Sequence, residues 1–489
     1  MRRPLAALAV LVALAMVAAA CTDDEDARPA EDKGSGTPGP PTSAPAPGPA
    51  TAGDPYFPEL GNAGYDVDHY TLDLEYDPAT DVLAGTATID AEATAALSSF
   101  HLDLAGMEVE SVSVDGEEGT FERERAELIV TPAEPIEEDA SFTTMVEYSG
   151  DPEAQIAPSL GIEIGWVETD DGAYVLSEPD GARTWYPVND HPSDKASYTF
   201  RLTVPEPLTA AANGTLSEQR ATDGKTTFVW EAPDPMASYL VEVAVGDFEI
   251  DDAGTVGDVV IRNVYAADLA ERAAAAAART PEMLEFFSEQ WGPYPFDVYG
   301  ILVVDVELGV ALETQTLSLF GADTCCFPGS ESILAHELAH QWFGNAVSPA
   351  RWQDIWLNEG FATYAEWMWA EHADGVPIAE SAARTYEGGP SGGGQSRPIL
   401  DPGPDGLFDG AVYGRGALTL YALQVEVGEA TFDEIMRTYF ERFDGESVTT
   451  QDFVDVAEEV SGKDLERLFG TWLTELELPP FPEAPPLAV

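Results

Sequence analysis

From Tyr65 to about Ile250 apolar and polar residues alternate along the chain, with interruptions at Asp, Gly and Pro. Tyr70, Leu72, Leu74 and Tyr76 interleave with Thr71, Asp73 and Glu75, and Asp77-Pro78 turns the chain into the next alternating run. A period of two turns one face of each strand to a core and the other to water, which predicts a large antiparallel β-domain. From Asp268 the period lengthens. The Ala-rich run Leu269 to Arg279 and then Pro281 to Trp291 predict helices, followed by a strand at Ile301 to Val304. A further helix is expected to start near Ser330, after Pro328-Gly329. On it Leu334, Leu338 and Trp342 lie opposite His336 and His340, predicting a buried back and a wet front. Helical periodicity returns from Val412 to Leu423, from Thr431 to Phe443, and from Thr450 to about Leu473 with a break at Ser461-Gly462. The segment Glu387 to Gly410 is dense in Gly, Pro and Ser and reads as a surface loop. These patterns describe a multidomain α+β chain whose character changes near residue 265: a β-domain over 56–265 and a mainly helical domain over 266–480.

One stretch of that second domain carries chemistry. His336-Glu337-Leu338-Ala339-His340 places two imidazoles four residues apart on a helix, about one turn along the same face, so both reach one cation. Glu337, between them, faces the same space and is placed to take a proton from water. Glu359, in Trp356-Leu357-Asn358-Glu359-Gly360-Phe361-Ala362, supplies a third ligand from the following helix. Two His and one Glu with a vacant fourth position form the ligand set of a catalytic Zn2+, one per chain. Such a zinc makes water nucleophilic near neutral pH and polarises a carbonyl. Glu366 falls seven after Glu359, on a similar helix face, where it either orients a ligand histidine or sits in solvent.

The 489 residues suffice for two or three domains. Met1 to Ala20 carry Arg2 and Arg3, a short apolar run and Ala18-Ala19-Ala20, a secretory signal pattern too short for a comfortable membrane span. Cys21 directly after small residues resembles a bacterial lipoprotein signal, although Ala18 stands where Leu or Val is commoner. The expected location is extracytoplasmic, secreted and lipid-anchored through Cys21 to the outer face of the cell membrane. Residues 21–55, rich in Pro, Gly, Ser, Ala and acid, read as a disordered tether, and 481–489 as a Pro-rich tail. Beyond Cys21, only the adjacent pair Cys325 and Cys326 remains, read either as a vicinal disulfide or as two idle thiols. The net charge of −67, with only four Lys, excludes nucleic acid as a partner, because phosphate contacts need basic side chains. It reads as a solvated acidic surface suited to a salty medium rather than as a device steering cationic amino termini.

With these residues placed, the chain resembles the zinc aminopeptidases of the aminopeptidase N family, gluzincins related to leukotriene hydrolase, in a short secreted bacterial form. The resemblance runs from about Tyr65 to Leu478 and rests on Tyr65-Asp66-Val67-Asp68-His69-Tyr70, on Gly292-Pro293-Tyr294-Pro295-Phe296, and most on His336 to Asn345 and Trp356 to Ala362. It implies a saddle-like antiparallel β-domain followed by a thermolysin-like catalytic domain. It also implies that His336, His340 and Glu359 bind zinc, with Glu337 as general base. The family's G-x-M-E-N strand, which holds the substrate amino group, aligns with Val310-Ala311-Leu312-Glu313-Thr314: Glu313 is kept, whereas Val310, Leu312 and Thr314 depart. Ala311, Leu312 and Glu313 are accordingly expected to bind substrate. An earlier T-Q-x-E-P segment aligns with Val175-Leu176-Ser177-Glu178-Pro179, keeping Glu178 but with Leu176 for the usual Gln. The transition-state tyrosine aligns with Tyr413. The implied substrates are peptides with a free amino terminus, a neutral or apolar first residue being expected. Longer family members cap the cleft with a helical domain that this sequence lacks, so a more open site is expected. Two rival readings share the motifs: a gluzincin endopeptidase indifferent to the terminus, and a non-enzymatic surface lipoprotein keeping the fold.

Overall fold

The computed structural model describes residues 44–388 and 397–482. The leader, Cys21, the first part of the tether and the tail beyond residue 482 lie outside the described residues.

The alternation holds in detail. In the strand Tyr65–Asp77, Tyr65, Val67, Tyr70, Leu72, Leu74 and Tyr76 are buried while Asp66, Asp68, Asp73 and Glu75 are exposed. The buried set changes from odd to even positions at a bulge between Val67 and His69, where one extra residue shifts the pleat. This strand sits inside an eight-stranded sheet, ordered Thr215–Thr222, Lys225–Ala237, Lys195–Pro205, Tyr65–Asp77, Val82–Ala93, Ser141–Gly150, Glu108–Val114 and Glu117–Glu118. The sheet is not wholly antiparallel. Lys195–Pro205 runs parallel to Tyr65–Asp77, with Ser197 opposite His69. More than a hundred residues intervene, so no hairpin forces the opposite sense. A five-stranded sheet, in which Ala173–Leu176 lies between Glu163–Glu168 and Val243–Gly246, carries the chain toward Glu178.

Two boundaries move. Strands Phe248–Val256 and Val259–Ala266, which the alternation assigns to the first domain, pair into one sheet with Ile301–Val304, Ser318–Gly321 and Ala311–Leu312. A border at 265 would cut that sheet, because period marks a strand but not the sheet it joins. The tether also ends before residue 55. Ala46–Pro47 pairs with Leu97–Asp103, the Gly48 N–H donates to the Ser99 carbonyl at 2.8 Å, and Asp54 accepts from the Trp352 N–H at 2.9 Å. Main-chain bonds hold this Pro/Gly-rich stretch, and composition does not register them.

The catalytic part is mainly helical. Thr280–Trp291, Glu331–His340, Trp356–Asp374, Gly410–Val427, Glu429–Phe443, Thr450–Ser461 and Glu466–Thr474 are α-helices, and the break at Gly462 is a left-handed C-cap with φ 65°. Ser330 precedes its helix as expected but makes no side-chain capping bond. Phe343, Phe361, Tyr439 and Phe453 interlock edge and face behind the histidine helix. Among the described residues no helix is long and apolar enough to cross a membrane.

Candidate active site

The histidine helix Glu331–His340 is buried on both faces from Leu334 onward, and its polar front forms a wall of a cavity of about 260 Å³. Glu178, Val310, Ala311, Glu313, Ile333, His336, Glu337, His340, Glu359, Glu366 and Tyr413 line it. Every residue singled out in the sequence comes together here except Leu312. That side chain is 3 % exposed and packs into the core, because successive strand residues point to opposite sides and Ala311 and Glu313 take the cavity side.

Three donors converge. One ligand atom from each of His336, His340 and Glu359 lies within 4.8 Å of the other two. The Nε2 atoms of His336 and His340 stand 3.2 and 3.5 Å from the same Glu359 oxygen. The opposite nitrogens are engaged elsewhere: His336 Nδ1 lies 2.8 Å from Glu366, and His340 Nδ1 lies 3.1 Å from the Phe343 carbonyl. Acceptors at Nδ1 fix the tautomer that leaves Nε2 as the ligand. Two imidazoles and a carboxylate so oriented fit a small divalent ion of zinc type. Burial works against the Glu359 charge, yet His340 and His336 hold its carboxyl down at about 2, so it is an anion at any working pH. Glu366 thus stands against His336 rather than free in solvent, and its other oxygen also accepts from the Ser332 hydroxyl.

Glu313 is tied to the residues that follow the same helix. The Glu313 carbonyl accepts from Gln341 Nε2 at 3.0 Å and Asn345 Nδ2 at 2.7 Å, and Gln341 Oε1 accepts from the Thr316 N–H at 2.8 Å. Gln341 and Asn345 therefore fix Glu313, just after the strand Ala311–Leu312, to the end of the histidine helix. Sequence reading gave them no role, although both fall within the stretch that follows His340. Burial, with Glu313, Glu359 and Glu337 nearby, pushes the Glu178 carboxyl well above its usual range, and burial raises Glu313 too, against the pull of His340. Burial also lifts Glu337 to about 8, opposed by His336 and His340. Tyr413 stacks on His336 at 5.9 Å, and burial plus the carboxylates keep its phenol protonated.

A close approach sets the spacing of two of these groups. A Cβ added to Gly360 would lie 2.8 Å from the Gly416 Cα, so the glutamate helix Trp356–Asp374 and the tyrosine helix Gly410–Val427 cross backbone to backbone beside Glu359 and Tyr413.

This fold and site define a two-domain zinc-dependent hydrolase of gluzincin type. Residues 66–240 match the Peptidase M1 N-terminal domain and residues 275–472 the Peptidase family M1 domain. The crystal structure of an M1 zinc metallopeptidase from Deinococcus radiodurans is 36% identical, with a TM-score of 0.83 over 89% of this chain and 100% of its own. A mutant of that enzyme bound to a Tyr-Ser-Ala substrate superposes equally well, at 35% identity over the same shares. The leucyl aminopeptidase of Saccharolobus solfataricus is 24% identical over 84% of this chain and 53% of its own length. The glutamyl aminopeptidase of Homo sapiens is 27% identical over 73% of this chain and 40% of its own. The chain thus spans about half or less of these curated relatives. It belongs to the M1 family of zinc metallopeptidases.

Replacing Glu366 by Gln is expected to weaken zinc binding about 10- to 100-fold, the usual cost of losing a carboxylate behind a ligand histidine. Competition with a fluorescent chelator measures it. An unchanged zinc affinity would reduce Glu366 to a bystander.

Proposed function

We propose that the chain is a zinc aminopeptidase that removes the first residue from peptides bearing a free amino terminus, with His336, His340 and Glu359 as the metal ligands. One observation carries the choice of exopeptidase over endopeptidase. Glu178 Oε1 and Glu313 Oε1 are buried and have no hydrogen-bond partner among the described residues, while carboxyl oxygens of the two residues lie within 4.8 Å of each other on the cavity wall. Two adjacent buried carboxylates cannot both stay charged unless a cation joins them, and a peptide's ammonium supplies that cation together with charge-assisted hydrogen bonds. An endopeptidase has no use for such a pair.

The steps follow from the positions of the side chains. Glu178 and Glu313 hold the ammonium, which sets the first peptide carbonyl against the histidine helix. The strand Ala311–Leu312 is paired on one side only, at the sheet edge, and its free edge receives the extended substrate backbone. Zinc, when bound, makes water acidic and polarises that carbonyl. Glu337, on the cavity wall between the two histidines, accepts a proton from the attacking water and passes it to the leaving amine. Tyr413 donates its phenolic hydrogen to the carbonyl oxygen as that oxygen gains charge. Val310, Ala311 and Ile333 give the cavity its apolar lining, which supports preference for a neutral or apolar first residue. The Deinococcus enzyme bound to Tyr-Ser-Ala, a short peptide substrate, agrees with this reading. The amino-terminal pattern through Cys21 supports a secreted, lipid-anchored form acting on peptides outside the cytoplasm.

The experiment is a panel of aminoacyl-amides with free and acetylated amines, run with and without chelator. Chelation should abolish turnover and zinc restore it. Acetylation should lower kcat/KM ten- to hundred-fold, about the worth of one or two hydrogen bonds to charged groups. Equal cleavage of free and acetylated substrates would make the protein an endopeptidase. No cleavage by the zinc-loaded protein would make it a non-enzymatic relative.

A further inference from the structure

We propose that Cys325 and Cys326 form a dithiol modification site at which a peroxide closes a vicinal disulfide. Neighbouring side chains normally diverge, by about 100° around a helix and to opposite faces of a strand. Here the helix Ala322–Cys325 ends at Cys325, and Cys326 leaves it with φ −115° and ψ 45°. That turn brings the two sulfurs to 2.6 Å. The pair is asymmetric: Cys325 is fully buried, whereas Cys326 is partly open to solvent. The site has its own polar surroundings. Tyr265 is 1 % exposed, its hydroxyl has no partner among the described residues, and burial together with Asp251 and both sulfurs raises its phenol. The only other cysteine of the chain is Cys21, in the leader.

Burial, and then the Cys326 sulfur, hold the Cys325 thiol protonated, so Cys326 is the group that reacts first. Its thiolate attacks one peroxide oxygen, the O–O bond breaks, and the leaving hydroxide takes a proton to become water. The product is a sulfenic acid on Cys326. The Cys325 sulfur then attacks the Cys326 sulfur, the S–O bond breaks, and a second water departs with the Cys325 proton. The two sulfurs give up two electrons in total, and the peroxide receives them. The resulting ring would lie in the connection from the strand Ser318–Gly321, which pairs with the substrate strand Ala311–Leu312, to the histidine helix.

The test is peptide mapping of the reduced full-length protein after hydrogen peroxide, with dimedone present to trap sulfenic acid. The segment 280–351 should lose two hydrogens, gain no dimedone, and recover its mass with a phosphine. Cys325→Ser should accumulate the dimedone adduct on Cys326, and Cys326→Ser should take neither change. A dimedone adduct or overoxidation in the wild-type protein, or equal reactivity of the two serine variants, would show two independent thiols and overturn the proposal. Should a serine variant fail to fold, the wild-type map decides alone, because closure without an adduct is read directly on it.

Discussion

Replacing Glu337 by Gln is expected to lower kcat by about 10²- to 10⁴-fold, the range for a positioned general acid–base, while zinc content stays whole. His336, His340 and Glu359 form the two-imidazole, one-carboxylate set that suits zinc, whereas Glu337 groups with Glu313 and His340, a set with a single imidazole. The Glu337 carboxyl is buried beside His336 and His340 on the cavity wall, where it can accept a proton in one step and return it in the next. Gln keeps the volume and the buried position but does neither. The measurement is kcat on an alanyl-amide beside zinc per chain by elemental analysis. A dead variant that has also lost its metal would mean that Glu337 holds the site together, and its role as base would be unsupported. A variant retaining most of its turnover would move the proton transfer to another group.

The sequence showed the centre of this site more clearly than its walls, for a physical reason. His336 and His340 stand four apart on one helix, so their pairing is visible in one dimension; Glu359 comes from the next helix and is placed by its motif, and Glu366 follows from it two turns on. Gln341 and Asn345 do their work through the Glu313 carbonyl, and a backbone acceptor leaves no trace in residue type. Leu312 shows the converse. Its alignment with a substrate strand gave it a role, but the pleat turns it into the core. The strands were legible because alternation reports burial, although the change of phase at the Val67–His69 bulge appears only in the structure. Their partners were not. The parallel pairing of Lys195–Pro205 with Tyr65–Asp77, and the joining of Val259–Ala266 to the catalytic sheet, depend on contacts between residues far apart in the chain.

Tyr413→Phe should cost about 10²- to 10³-fold in kcat, the usual effect of removing one donor aimed at a developing oxyanion, with KM nearly unchanged. The split matters more than the size. A carbonyl oxygen carries little charge in the bound substrate and a full charge in the tetrahedral state, so a donor that acts there lowers the barrier without tightening the ground state. Phe preserves the ring that stacks on His336 and leaves the backbone crossing at Gly360 and Gly416 untouched, so the ligands should stay in place. Burial and the carboxylates Glu359, Glu178, Glu313 and Glu337 all keep the phenol protonated, which makes it a donor across the working pH range rather than a titrating base. Steady-state kinetics on free aminoacyl-amides, with zinc content measured alongside, separate the outcomes. A rise in KM at constant kcat would place Tyr413 in substrate binding, and an unaffected enzyme would leave the developing charge to the metal alone.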